Sequence, residues 1–253
     1  MTKTVEKKVK SINVVILAIG RVELEGGLAE FPICLSEIGG LSVLESIINK
    51  ADSLENANFT FVFSADDTSK YHLDKISQIL KPGSISFRVP ETTKGSLCTS
   101  LSAVSTLEQN SELLIISANE LVNINFNSAV ESFRSNSLDG GTLVFKSIQP
   151  RYSYVRLGDD GYVSEAAQRR PISQDATAGM FWFSKTSDFV AGAKSMIRKD
   201  AVVDGAFFIA PVFNELILEG KKIGISRIEV NDYRPLKTKK QIDLYESDAN
   251  HEK

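Results

Sequence analysis

The sequence predicts an α/β fold built on a three-layer, mixed and mostly parallel sheet. Three observations carry this. Residues 12–19 (INVVILAI) form an unbroken, largely β-branched run, the pattern of a strand buried on both faces. Similar runs alternate with segments of helical spacing through the first half of the chain, which implies parallel strands joined by crossover helices. After residue 138 the rhythm changes to strand pairs separated by turn residues, so the sheet gains antiparallel members.

The elements follow in order. Residues 1–11 are a polar lead, and 12–19 the first strand. A glycine-containing loop spans 20–30, a helix 41–54 and a strand 59–63. Asp67 or Thr68 caps a helix near 69–80, which is the reading preferred to a metal pair at Asp66-Asp67. A short strand at 85–89, a helix at 95–107, a buried strand at 112–117 and a helix at 126–136 complete the first half. Asp139-Gly140-Gly141 is a turn before a strand at 142–148. Residues 152–157 and 162–166 form a hairpin around Asp159-Asp160-Gly161. A strand at 177–183, helices at 186–199 and 207–219, a strand at 223–230 and a helix near 238–247 finish the chain. With no linker-like stretch and no repeat, residues 12–247 read as one domain and 248–253 as a polar tail.

Composition narrows the function classes. Among 253 residues the net charge is −3, which argues against a nucleic-acid surface, since phosphate backbones need a clustered positive field. No apolar run approaches the ~20 residues that span a bilayer. Cys34 and Cys98 lie in no paired motif, so a disulfide framework or zinc site is not expected and a reducing cytoplasm fits. Cys34 reads as a small buried residue, because no His or second Cys is placed to activate it. His72 and His251 are too isolated to suggest catalysis, and Lys237, Lys239 and Lys240 read as a solvated helix start.

Motifs then point to a family. Leu17-Ala18-Ile19-Gly20-Arg21 closes the first strand, Phe31-Pro32-Ile33-Cys34-Leu35 follows, and Pro90-Glu91-Thr92-Thr93-Lys94-Gly95-Ser96 comes later. In the second half stand Tyr152-Ser153-Tyr154-Val155-Arg156-Leu157, Arg170-Pro171-Ile172-Ser173, Ala176-Thr177-Ala178-Gly179 and Ala210-Pro211-Val212-Phe213-Asn214-Glu215. This ordered set, over residues 12–246, resembles the sugar nucleotidyltransferases, and its second half resembles a bacterial subgroup linked to capsule and other surface polysaccharides. The resemblance implies the nucleotide-diphospho-sugar transferase type of sheet and Mg²⁺-dependent joining of a nucleoside triphosphate to a sugar phosphate, with release of pyrophosphate. It implies nucleotide binding by Leu17, Ala18, Gly20, Arg21, Thr93, Lys94 and Gly95, and substrate binding by Asn119 and Gly179. Trp182 either stacks on a substrate ring or fills the core. Gly20, Arg21, Thr93, Gly95, Asn119 and Gly179 are expected to border one cleft.

The departures from the family pattern concern the triphosphate. Leu24 stands where the loop arginine is expected, beside Glu23, and leaves Arg21 as the one candidate catalytic cation of the loop. Ile33 replaces the family lysine, and Asn119 occupies the position of the metal-binding aspartate. Glu120 is one residue off and, on a continuing strand, would face the other way. The Glu-Lys pair of the acceptor lobe reads Gln168-Arg169, and Ala206 replaces an acid before Phe207-Phe208. Three readings follow: an enzyme needing Mg²⁺, a catalytically inactive nucleotide-sugar-binding or regulatory subunit, alone or oligomerised with a biosynthetic enzyme, and a glycosyltransferase of related fold. The last lacks an Asp-x-Asp motif at residues 118–120.

Overall fold

The structure, a computed structural model, describes residues 10–23, 30–90 and 93–251. The chain opens with β1 (Ile12–Ala18), β2 (Arg21–Glu23), β3 (Glu30–Pro32), β4 (Glu37–Ile38), β5 (Leu41–Ser42) and α1 (Val43–Ala51). Next come β6 (Ala57–Ser64), α2 (Ala65–Tyr71), α3 (Leu73–Leu80), β7 (Ile85–Val89) and α4 (Ser96–Leu101). The middle holds β8 (Glu112–Ser117), β9 (Glu120–Val122), α5 (Phe126–Ser135) and β10 (Gly140–Lys146). It continues with β11 (Ser153–Leu157), β12 (Val163–Gln168), β13 (Asp175–Phe183) and α6 (Thr186–Arg198). The chain closes with α7 (Val212–Leu218), β14 (Ile223–Arg227), β15 (Tyr233–Pro235) and α8 (Lys239–His251).

One nine-stranded sheet organises these elements in the order β12-β11-β13-β8-β1-β6-β7, with β10 joining β13 to β14. β1 is central, parallel to both β6 and β8, as its unbroken apolar run requires. Its side chains alternate between the two faces. Val14, Ile16 and Ala18 enter one core cluster with the apolar face of α1; Val15 and Leu17 enter the other, with Phe189, Ala193 and Met196 of α6. β13 runs antiparallel to β8. Its pairing with β10 shifts register between Thr142 and Val144, opposite Gly179, an irregularity of the β-bulge kind.

Several boundaries differ from the sequence reading for local reasons. Ser64, not Asp67 or Thr68, caps α2: its hydroxyl accepts from the Asp67 N–H at 3.4 Å, so the helix starts at 65. The single helix expected near 69–80 is split at His72, which takes a left-handed φ of 55°. The helix expected at 95–107 stops at Leu101 and is followed by a 3-10 turn at Val104–Thr106. The helix expected at 207–219 begins only at Val212, after Pro211, because the preceding segment packs as irregular chain on residues 94–97. The hairpin around residues 158–161 forms as expected, with β11 and β12 antiparallel.

Candidate functional site

A cleft of about 480 Å³ opens at the C-terminal ends of β1 and β8. Its size is that of a small-molecule site. The floor is made by the chain leaving these two strands. Leu17 and Gly20 line it from β1, and Ser117, Asn119 and Glu120 from β8. Thr93, Gly95 and Thr99 form one wall at the start of α4, with the Thr93 and Thr99 hydroxyls 2.6 Å apart. Segment 207–210 backs this wall: the Phe207 N–H donates to the Lys94 carbonyl at 2.8 Å, and the Leu97 N–H to the Phe207 carbonyl at 3.1 Å. The opposite wall comes from the hairpin lobe. There Arg151, Tyr152, Ser153 and Gln168 face the cleft, and the Ser153 hydroxyl bonds the Gln168 side chain.

Two close approaches shape the floor. A Cβ on Gly20 would lie 1.8 Å from the Asn119 Oδ1, so the glycine leaves room for that side chain. Asn119 Oδ1 is buried and has no hydrogen-bond partner. Gly179, at φ +61°, lies under the Glu120 carboxylate, where a Cβ would be 2.2 Å from Oε1. Glu120 Oε2 accepts from the Tyr233 hydroxyl at 2.5 Å. Burial pushes the Glu120 carboxyl above the ordinary carboxylate range; the bonds from Tyr233 and Ser117 and the charge of Lys237 offset part of this. The Tyr233 phenol is raised as well, by burial and by the adjacent Glu120.

The cleft gathers Leu17, Gly20, Thr93, Gly95, Asn119 and Gly179 as expected, and leaves out four other candidates. Ala18 points to the opposite face of β1 and packs in the core, because strand neighbours alternate. Arg21 is drawn away to Asp67, a carboxylate only 3% exposed, with Nε at 3.1 and 3.2 Å from its two oxygens and Nη2 at 2.9 Å from Oδ1. Glu30 adds a contact at 3.7 Å. Lys94 is exposed and contributes only its backbone to the wall. Trp182 fills the core rather than a substrate pocket: it stacks on Phe133 at 5.6 Å and donates from Nε1 to Glu112 at 3.3 Å. That carboxylate is itself held by Arg134 at 2.7 Å.

Other expectations resolve similarly. Ile33 sits buried in a 3-10 turn, its N–H bonded to the Gly20 carbonyl at 2.9 Å, and does not reach the cleft. Cys34 is buried beside it, and burial together with the nearby Asp67 pushes its thiol up to about 12, well away from a reactive thiolate. Leu24 lies outside the described residues. Glu120 does not face away from Asn119. β8 ends at Ser117, the chain turns, and β9 starts at Glu120, so the strand alternation that the expectation relied on is broken. The two cations lining the cleft among the described residues both escaped the sequence reading. Arg151 lies just before the hairpin motif, and Lys237 projects into the cleft rather than only solvating a helix start.

Magnesium chemistry finds no fitting donor set here. Mg²⁺ takes hard oxygen ligands, usually with a carboxylate. The Asn119 oxygen is neutral and packed on Gly20, and the Glu120 carboxylate is buried and tied to the Tyr233 hydroxyl. Among the described residues no group of three His, Cys, Asp or Glu side chains is placed to hold a metal.

No family model matches the sequence, and no curated protein does. Solved structures match closely in shape. A nucleoside-diphosphate-sugar pyrophosphorylase from Vibrio cholerae RC9 superposes with a TM-score of 0.76 at 19% identity, over 92% of this chain and 99% of that one. A protein assigned as a glucose-1-phosphate thymidylyltransferase from Bacillus anthracis, solved with sucrose, gives 0.72 at 14% identity, over 94% and 95%. The inositol-1-phosphate CTP transferase of T. maritima gives 0.71 at 13%, over 94% of each chain. The chain has a sugar nucleotidyltransferase-like fold.

Proposed function

We propose that this chain is a cytoplasmic nucleotidyltransferase-like protein of surface-polysaccharide biosynthesis, such as capsule formation. On this reading it binds a sugar phosphate, nucleotide or nucleotide-sugar in the cleft and has lost the Mg²⁺-dependent transfer that the family resemblance implies. The observation that carries the reading is Asn119: a neutral side chain whose buried Oδ1 has no hydrogen-bond partner among the described residues stands at the floor of a formed cleft where the family resemblance expects a metal-binding aspartate. Nucleotidyl transfer depends on cations placed around developing negative charge. Ile33 is buried and Arg21 is committed to Asp67, so neither supplies one. The hydroxyl and amide groups of the cleft suit a polyhydroxylated ligand, which favours a binding or regulatory subunit, paired with a biosynthetic enzyme, as the form this function takes.

The test combines turnover with binding. We expect little or no pyrophosphate release from any of the four nucleoside triphosphates with Mg²⁺ and glucose 1-phosphate present. We expect thermal stabilisation by nucleotide-sugars without Mg²⁺; a ligand at 100 times its Kd adds about 2.7 kcal/mol. Asn119→Asp, which restores a carboxylate to the cleft floor, should raise nucleotide binding or turnover. Robust turnover by the unmodified chain overturns the proposal.

A further inference from the structure

Two cations, Arg21 and Lys94, were expected among the nucleotide-binding residues, and neither lines the cleft. The cations that line the cavity are instead Arg151 and Lys237, on the hairpin side. Both are exposed, and neither makes an ion pair with a carboxylate among the described residues. One side chain relates them: the Arg151 guanidinium lies 4.9 Å from the centre of the Tyr152 ring, and the Lys237 ammonium 5.9 Å from it. The two charges are therefore held within about a nanometre of each other, a spacing set by two cation–π contacts. Arg151 is further fixed by a 2.7 Å hydrogen bond from Nη2 to the Tyr152 hydroxyl, and Tyr152 is itself buried against Phe145 and Tyr233. Among the described residues the one acid lining the cleft, Glu120, is already bonded to Tyr233.

Two cations held on one aromatic ring, with no ion-paired carboxylate among the described residues, stand at the edge of a cavity otherwise lined by hydroxyls, amides and the Tyr233-bonded Glu120, and this suits a ligand with a phosphoryl group on a hydroxyl-rich body. We infer that Arg151 and Lys237 form an anion subsite that holds the phosphoryl group of a sugar phosphate or sugar nucleotide on the hairpin side of the cleft. The inference deepens the proposed function and rests on it for the sugar, though not for the anion. The two cations suit a phosphoryl ligand because Arg offers a planar fork of donors and Lys a compact point charge.

The experiment is calorimetric titration of the full chain, without Mg²⁺, with inorganic pyrophosphate, glucose 1-phosphate, glucose and UDP-glucose. Arg151→Gln, Lys237→Gln, the double variant and the charge-retaining Arg151→Lys are titrated alongside, with circular dichroism confirming the fold. Each Gln substitution should raise the Kd for the phosphorylated probes about tenfold, the size expected for one charge-assisted contact. Arg151→Lys should lose less, glucose should bind more weakly than glucose 1-phosphate, and binding should weaken as salt rises. Which of glucose 1-phosphate and UDP-glucose binds more tightly tells whether the phosphoryl group comes from a sugar phosphate or a sugar nucleotide. Sugar nucleotide or sugar phosphate binding that is indifferent to both substitutions overturns the subsite while leaving the proposed function standing. Pyrophosphate binding that is lost in the double variant, with no sugar ligand bound, supports the subsite and removes the proposed function. Absence of binding by every anionic probe overturns both.

Discussion

Gly179→Ala tests the floor of the cleft directly. The residue sits at φ +61° within the bulged stretch of β13, a conformation that costs an L-residue roughly 1–2 kcal/mol. Its new Cβ would also lie 2.2 Å from Glu120 Oε1, 2.5 Å from Cδ and 2.9 Å from Cγ. Glu120 cannot simply swing aside, because Oε2 is bonded to Tyr233, which is stacked on Phe145 at 4.0 Å. Relief of an overpacked contact of this kind typically costs about 1–3 kcal/mol. The two terms sum to about 2–5 kcal/mol, which for a chain of this size lowers Tm by on the order of 5–15 °C. Thermal denaturation followed by circular dichroism reads this, and titration with the sugar-phosphate probe reads the distortion of the floor. The double variant Gly179→Ala, Glu120→Ala should recover the steric part and not the backbone part, giving a coupling of about 1 kcal/mol or more between the two sites. A single variant melting within 1–2 °C of the parent would refute the reasoning, since it would mean that neither the left-handed backbone nor the carboxylate lies where the geometry has it.

Two further outcomes follow from the charges. Arg21→Met should destabilise the chain by about 3–5 kcal/mol, because it leaves the buried Asp67 without its partner, while the Kd for cleft ligands stays within about twofold; urea denaturation and titration separate the two effects. Glu120→Gln should stabilise the chain at neutral pH and lose that advantage in acid. The native carboxyl titrates above its unfolded value, so the parent binds more protons when folded, and its stability falls as pH rises from about 4.3 through the folded pKa. Gln keeps an acceptor for the Tyr233 hydroxyl and carries no charge. Melting temperatures of the two proteins should converge near pH 4 and separate above it; a constant difference across pH 4–8 would count against a buried, raised carboxyl.

Much of the fold was written in local pattern. The runs at residues 12–18 and 112–117 could only be central strands, and they pair with each other in parallel. The cleft followed from strand ends, so Gly20 and Asn119, which directly follow those ends, were legible. What escaped depends on contacts distant in sequence. Nothing near Arg21 signals that Asp67, 46 residues on, would claim its guanidinium. Nothing near Trp182 signals that Glu112 and Phe133 would enclose it. Lys237 sits in a run of lysines whose simplest local reading is a solvated helix start, and only the packing of Tyr152 beside it turns it into a cleft residue. Glu120 was misdirected by extending a strand three residues beyond where it ends.

The commitment of Arg21 decides which end of the cleft can receive an anion. Releasing it toward a phosphate would strand Asp67, at a cost of about 3–5 kcal/mol for breaking a buried pair. A charge-assisted hydrogen bond to the ligand returns only about 1.5–3 kcal/mol. The exchange loses, so Arg21 stays with Asp67 when a ligand binds, and the glycine-loop end receives no help from it. Arg151 and Lys237 have no ion-paired carboxylate among the described residues to give up before they meet a ligand. Even a modest contact there is net favourable. A phosphorylated ligand therefore lowers its free energy most by placing its anion on the hairpin side, leaving its uncharged body over the neutral floor of Gly20, Asn119 and Gly179.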